Sequence, residues 1–267
     1  WVAVPVGGVT LAAGSTSVQV RVATTDDIAT EGDETFTLTA TVTAGTTSNA
    51  SASGTATITD DSDTTTVSLT ATPSVVEGGN ITYTATLTNA AVTPLTVTLS
   101  SGQTISIAAG ATSGSVSIAA PGDDPYLDAG TVSRTIATTS GGGFEALAID
   151  TTAAVTSVSD DSDATTVTLT ATPSVAEGGT IVYTATLTNA AQTAVTVTLS
   201  TGHTIGIAAG ATTGTVSIAA PGDDPYLDAG SVSRTITSAS GGNFESLVVD
   251  PAAVVTTVTD TIDTTTA

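Results

Sequence analysis

Ile81-Thr82-Tyr83-Thr84-Ala85-Thr86-Leu87 sets an apolar or aromatic side chain at every second position with a threonine between each pair. A period of two, rich in β-branched residues, marks a strand buried on one face, whereas a helix would repeat near 3.6. Moving outward, the same alternation returns in Leu95-Thr96-Val97-Thr98-Leu99, Thr104-Ile105-Ser106-Ile107 and Ser115-Val116-Ser117-Ile118, punctuated by Gly or Pro clusters. The pattern predicts strands over residues 67–71, 80–88, 94–100, 103–108, 113–119, 131–138 and 151–159. About seven short antiparallel strands per hundred residues predict an all-β chain of two-sheet, immunoglobulin-like sandwiches without helix.

The chain repeats itself. Residues 67–166 align with 167–266 without gaps, with 28 differences in 100 positions, and Ala119 to Gly130 is identical to Ala219 to Gly230. The first 66 residues are a diverged copy: Leu11-Ala12-Ala13-Gly14 answers Ile107-Ala108-Ala109-Gly110, and Asp60-Asp61-Ser62-Asp63 equals Asp160-Asp161-Ser162-Asp163. The counterpart of Thr70 to Gln103 is missing there. The expected domains are therefore a truncated sandwich over 1–63, lacking its opening strands and implying a polypeptide that continued upstream, then full repeats over 64–163 and 164–267.

Charge and composition remove whole classes of function. Of 267 residues, 25 are acidic and three are basic, a net charge of −22, while 40% are apolar. Nucleic acid needs clustered cations, and Arg21, Arg134 and Arg234 lie one to a repeat. The absence of Cys excludes disulfides and thiolate chemistry. No run of 18 apolar residues suggests membrane insertion by this segment. Catalysis would need an asymmetric constellation, whereas the chain offers duplicated Asp pairs, no Lys and a single His203 that replaces Gln103.

The carboxylates gather in loops. Glu77 lies in a turn after the first strand, Asp123, Asp124 and Asp128 precede the sixth, and Asp160, Asp161 and Asp163 follow the last. Sandwich loops alternate between two poles, so these segments can converge. Two carboxylates about 4 Å apart repel by roughly 4 kcal/mol at an effective dielectric of 20. Oxygen-only, multiply charged donors suit a hard cation, calcium ahead of magnesium. The bland alternative is solvated acidic surface. Glu145, Asp150, Glu245 and Asp250 belong to no ligand pattern and are read as solvated surface, Asp124-Pro125 has the form of a turn start, Arg134 and Arg234 are expected to pair with carboxylates, and Tyr83, Tyr126 and Phe144 to plug a small-residue core.

The run Asp26-Asp27-Ile28-Ala29-Thr30-Glu31-Gly32-Asp33-Glu34-Thr35-Phe36, closed by Asp60-Asp61-Ser62-Asp63, resembles the Calx-beta domain, a calcium-binding sandwich. Thr-Ala-Thr-Pro-Ser-Val-Xaa-Glu-Gly-Gly at 70–79 and Gly-Gly-Xaa-Phe-Glu at 241–245 resemble the tandem arrays of giant type 1-secreted (RTX-type) biofilm adhesins. The resemblance implies Ca2+ ligands at Asp26, Asp27, Glu31, Asp60, Asp61 and Asp63; at Glu77, Asp123, Asp124, Asp128, Asp160, Asp161 and Asp163; and at Glu177, Asp223, Asp224, Asp228, Asp260 and Asp263. The last copy departs from the pattern, with Thr261 for Asp161 and Ile262 for Ser162.

Two functions follow as expectations. In the first, calcium-stiffened extender repeats hold the terminal binding domains of a secreted bacterial adhesin away from the cell surface, serving adhesion and biofilm formation, with neighbouring repeats of the same chain as partners. In the second, the repeats bind glycan, biofilm matrix or other adhesin chains directly, or self-associate. The differences between copies are mostly swaps among Thr, Ser, Ala and Val, which favours the extender, because a binding face would vary in aromatic or charged residues.

Overall fold

The computed structural model describes residues 2–3, 8–262 and 264. It is all-β. Four strands precede the full repeats: β1 (Val2–Ala3), β2 (Val20–Arg21), β3 (Glu34–Thr41) and β4 (Ser51–Ile58). β3 and β4 form an antiparallel hairpin in register from Glu34↔Ile58 to Thr41↔Ser51. No described residue from 8 to 63 is buried. The hairpin's apolar residues Phe36 and Leu38 line an open cavity with Val9, Val18, Val20 and Val22 instead of a packed core.

The second repeat contains β5 (Thr64–Ala71), β6 (Ser74–Val76), β7 (Asn80–Leu87), β8 (Leu95–Leu99), β9 (Thr104–Ile107), β10 (Ser113–Ala119), β11 (Gly130–Arg134), β12 (Ile136–Gly141), β13 (Ala146–Ile149) and β14 (Ala154–Ser159). The third contains β15 (Ala164–Ala171), β16 (Ser174–Ala176), β17 (Thr180–Leu187), β18 (Val195–Leu199), β19 (Thr204–Ile207), β20 (Thr213–Ala219), β21 (Gly230–Arg234), β22 (Ile236–Gly241), β23 (Ser246–Val249) and β24 (Val254–Thr259). Both have the same three sheets, ordered in the third as β20-β17-β15-β23, β16-β24-β21 and β19-β18-β22. The third repeat's core takes Val167, Leu169, Ile181 and Tyr183 from the first of these sheets and Val197, Leu199, Ile205 and Ile207 from the last. Ile, Val, Leu and Ala fill most of it, and Tyr183 is the largest fully buried side chain there.

Each full repeat thus has ten strands where about seven are expected, and two of its pairings are parallel. β15 runs parallel to β23 and β16 parallel to β24. The extra strand at the front comes from Pro173, which has no N–H to donate to a ladder. There the chain leaves the sheet of β15 and re-forms as β16 in another. Its bend is stitched down by the buried Thr256 hydroxyl, which donates to the Thr172 carbonyl at 2.7 Å. The expected strand over 131–138 is broken at Thr135, whose N–H donates to Ser100 Oγ at 3.2 Å and whose carbonyl accepts from the Ser100 N–H at 2.9 Å.

Two compact units divide the chain: Trp1–Ala71 with Thr82–Ser117 and Ser133–Val155, and Thr72–Ile81 with Ile118–Val132 and Thr156–Ala267. The turn, loop and linker that carry Glu77, Asp123, Asp124, Asp128, Asp160, Asp161 and Asp163 belong to the same unit as the whole third repeat. Asp26, Asp27, Glu31, Asp60, Asp61, Asp63 and Glu145 belong to the other.

Candidate metal centre

Three segments meet at the end of β14. The Glu77 N–H donates to the carbonyl of Ser159, the last residue of β14, at 3.0 Å, and the Gly78 N–H donates to the Pro121 carbonyl at 2.7 Å. Gly78 has φ of 69°, and a Cβ there would stand 3.1 Å from Asp123 Cβ. A glycine therefore brings the β6–β7 turn against the 121–129 loop. The Asp128 N–H donates to Asp160 Oδ1 at 3.2 Å, which ties that loop to the segment after β14. The same bond recurs from Glu31 to Asp60 Oδ2 at 3.0 Å and from Asp228 to Asp260 Oδ1 at 3.0 Å.

The convergence produces overlapping acidic groups whose oxygens lie within 4.8 Å of one another: Glu77 with Asp128 and Asp160, Glu77 with Asp161 and Glu245, and Asp123 with Asp161 and Asp163. The third repeat brings together Glu177, Asp228 and Asp260, and the first domain Asp26, Asp61 and Asp63. Other expected ligands are engaged elsewhere. One carboxylate oxygen each of Asp27, Asp124 and Asp224 accepts the N–H two residues on, at 2.8, 2.9 and 2.9 Å, closing the turn that Asp124-Pro125 suggests. Asp223 accepts a short hydrogen bond from the Thr261 hydroxyl, the residue that replaces Asp161. The Glu31 carboxylate joins no group among the described residues, and Asp263 lies outside them.

Glu245 belongs to the following repeat and has no place in the sequence-based ligand set. Its N–H donates to the Pro125 carbonyl at 3.1 Å, and its Oε2 accepts the Asp163 N–H at 2.6 Å. Glu145 repeats this one domain earlier, with its N–H on the Ile28 carbonyl at 3.3 Å and its Oε2 accepting from Asp63 N–H at 2.5 Å. The signal was present in sequence as the Gly-Gly-Xaa-Phe-Glu motif in both full repeats. It is obscured because each Glu serves the linker of the preceding copy.

These carboxylates are short of compensating charge. Glu77 is 6% exposed and Glu177 is 7% exposed. One oxygen each of Glu77, Glu177, Glu145 and Glu245 is buried without a hydrogen-bond partner. Instead of pairing with carboxylates, Arg134 and Arg234 donate to the carbonyls of Ser133 and Ser233 at 3.0 and 2.8 Å. Burial, a shared proton with Glu245 and repulsion from Asp128 push Glu77 up to about 7. A shared proton with Asp228, then burial, does the same to Glu177. Repulsion from Asp161 heads the causes that raise Asp123, and repulsion from Asp61 those that raise Asp26. A buried carboxylate oxygen with no donor, surrounded by its own kind, is the condition that a cation relieves. The donors are all oxygen, so the groups fit a hard cation.

A family model described as the LapA domain matches residues 63–161 and again residues 163–261. The chain belongs to the LapA-domain family. The two LapA matches include every carboxylate of the full-repeat clusters. No curated protein matches the chain. Among the described residues of these LapA repeats, no helix is long and apolar enough to cross a membrane.

Proposed function

We propose that the chain is a run of calcium-stiffened extender repeats from a secreted bacterial surface adhesin, non-catalytic, that projects terminal binding domains for cell adhesion and biofilm formation. Membership of the LapA-domain family supports the adhesin part. On this reading the domains are immunoglobulin-like, Calx-beta-related sandwiches bounded near 63/64 and 163/164.

The observation that carries the calcium part is Glu77. Its Oε1 is buried and unpartnered, and its carboxylate contributes an oxygen to a group completed by Asp161 of the linker and Glu245 of the following repeat. Calcium would be held there by Glu77, Asp128, Asp160, Asp161 and Glu245, with Asp123 and Asp163 beside them. It would supply positive charge and oxygen coordination to carboxylates that otherwise repel. Because those ligands come from a turn, a linker and the next repeat, the ion would restrain the linker, which is otherwise a short Asp, Ser and Thr tether. The first domain would use Asp26, Asp61 and Asp63, and the third repeat Glu177, Asp228 and Asp260.

The test is a calcium titration followed by thermal unfolding and small-angle scattering. Calcium is expected to raise the melting temperature and chelation to shorten the maximum dimension. Unchanged melting and unchanged dimensions would overturn the reading.

A further inference from the structure

The loop that carries Asp123, Asp124 and Asp128 also carries an apolar tip, Pro125-Tyr126-Leu127, which the calcium reading does not use. This tip is seated on the third repeat. The Tyr126 ring stacks on Phe244 with centroids 5.7 Å apart and planes 25° apart. Its hydroxyl donates to the Ala190 carbonyl at 2.6 Å, and the Leu127 N–H donates to the Asn243 carbonyl at 3.0 Å. Stacked aromatic pairs with a satisfied phenol are a recurrent anchor at interfaces.

The receiving surface is built for this tip. Asn243 has φ of 60°, the one positive value for a non-glycine among the described residues, and Gly143 takes its place in the second repeat. A side chain in the left-handed region is disfavoured, least so for Asn. Asn243 holds that conformation while its Nδ2 donates to Gln192 Oε1 at 2.7 Å and to the Leu127 carbonyl at 3.3 Å. The second repeat has Val92 in place of Gln192, and its turn receives a different tip. There Ala29 stands where Tyr126 does, bridging Phe144, and the Thr30 N–H donates to the Gly143 carbonyl at 3.3 Å. The Gln–Asn surface goes with the Tyr-Leu tip, and the Val–Gly surface with the Ala-Thr tip.

The third repeat carries an identical tip that is open among the described residues: Tyr226 is 74% exposed and Leu227 is 92% exposed, against 53% for Leu127. We infer that Tyr226-Leu227 is a docking surface for the Gly-Gly-Asn-Phe-Glu turn and Gln-bearing loop of another repeat of the third repeat's sequence, and that the Gln192–Asn243 pair selects this tip. The occupant is fixed by the same twelve-residue loop, Ala119 to Gly130, already seated on such a surface within the chain. The inference does not depend on any cation.

The test uses the chain lengthened by a further copy of residues 164–263 joined after Asp263 and labelled with 3-fluorotyrosine, with Tyr226→Phe to assign the fluorine resonance. Attachment is expected to move the Tyr226 resonance from a solvent-exposed position to that of Tyr126, at every protein concentration. A copy carrying Gln192→Val and Asn243→Gly is expected to leave at least half of the Tyr226 signal at the exposed position. The buried tyrosine of the added copy, equivalent to Tyr183, reports that the copy folds. An unmoved Tyr226 resonance beside a folded copy would overturn the docking surface, as would a shift that grows with concentration, which marks a second molecule seated there. Equal shifts with both copies would overturn the selection.

Discussion

At the acidic end of the second repeat Glu77 meets Asp128, Asp160, Asp161 and Glu245, whereas at the end of the third Glu177 meets Asp228 and Asp260 among the described residues. The loops are alike down to the bond from Asp128 or Asp228 to the first linker Asp. Two things differ. Thr261 stands where Asp161 does and donates to Asp223, and of these two ends, among the described residues, that of the second repeat has a following LapA repeat seated on it, which supplies Glu245. The comparison teaches that the ligand set proposed for one repeat is a property of two: the turn and loops provide a half-site, and the next copy finishes it.

The largest effect expected from this difference is the response to calcium and pH. At a hundred times its dissociation constant, each ion that binds only the folded chain stabilises it by roughly 2.7 kcal/mol. In chelator the sign runs the other way with pH. Glu77 and Glu177 are held near 7 in the folded chain against an ordinary 4.5, so their contribution is fully present below about 4.5 and is lost as pH rises through about 7. Calcium, which takes the ionised form, should bind more tightly across the same rise. Melting curves at about pH 5 and about pH 8, with calcium and with chelator, check both slopes. Parallel slopes in the two conditions would break the link between these glutamates and the ion.

Exchanging the linker residue sharpens the comparison further. Asp161→Thr is expected to weaken calcium binding at the second repeat by at least about tenfold, as loss of a metal-site partner commonly does, and Thr261→Asp to strengthen it at the third. Calorimetric titration would read both. Glu245→Gln should have a comparable effect on the second repeat's site while leaving the third repeat's melting in chelator unchanged or raised, because it removes a repelling charge. An effect confined to the third repeat would show that Glu245 serves its own domain alone. The two turn glycines give the smallest changes, Gly78→Ala costing about 1–2 kcal/mol from the left-handed φ with a close approach to Asp123. Gly178→Ala should cost somewhat less, since its Cβ would stand 3.5 Å from that of Asp223.

The long strands were legible because each alternates on its own. β7 buries Ile81, Tyr83, Ala85 and Leu87 in step with the quoted pattern. β6 and β13 were not legible, being three and four residues long and stabilised by parallel partners some eighty residues away in sequence. The turn and linker carboxylates declared themselves by clustering, and the geometry brings most of them into groups. Glu145 and Glu245 did not, because their bonds to Asp63 and Asp163 cross a repeat boundary at a separation of 82 residues. Tyr126, expected to plug a core, packs against the buried cluster of the next copy, where its aromatic partner Phe244 lies.

The two parallel pairings in the third repeat have a mechanical consequence. Tension that enters through the start of β15 and leaves through the end of β24 pulls β16 and β24 in opposite senses along their own length, with Ser174↔Thr257, Val175↔Val258 and Ala176↔Thr259 side by side. Hydrogen bonds arranged in that way are loaded together and must rupture together, whereas a hairpin pulled from its open end gives way one rung at a time. The kink at Pro173 keeps β15 and β16 in separate sheets, so β15 against β23 forms a second such clasp. Drag along the chain therefore meets two shear clasps before it reaches the aliphatic interior.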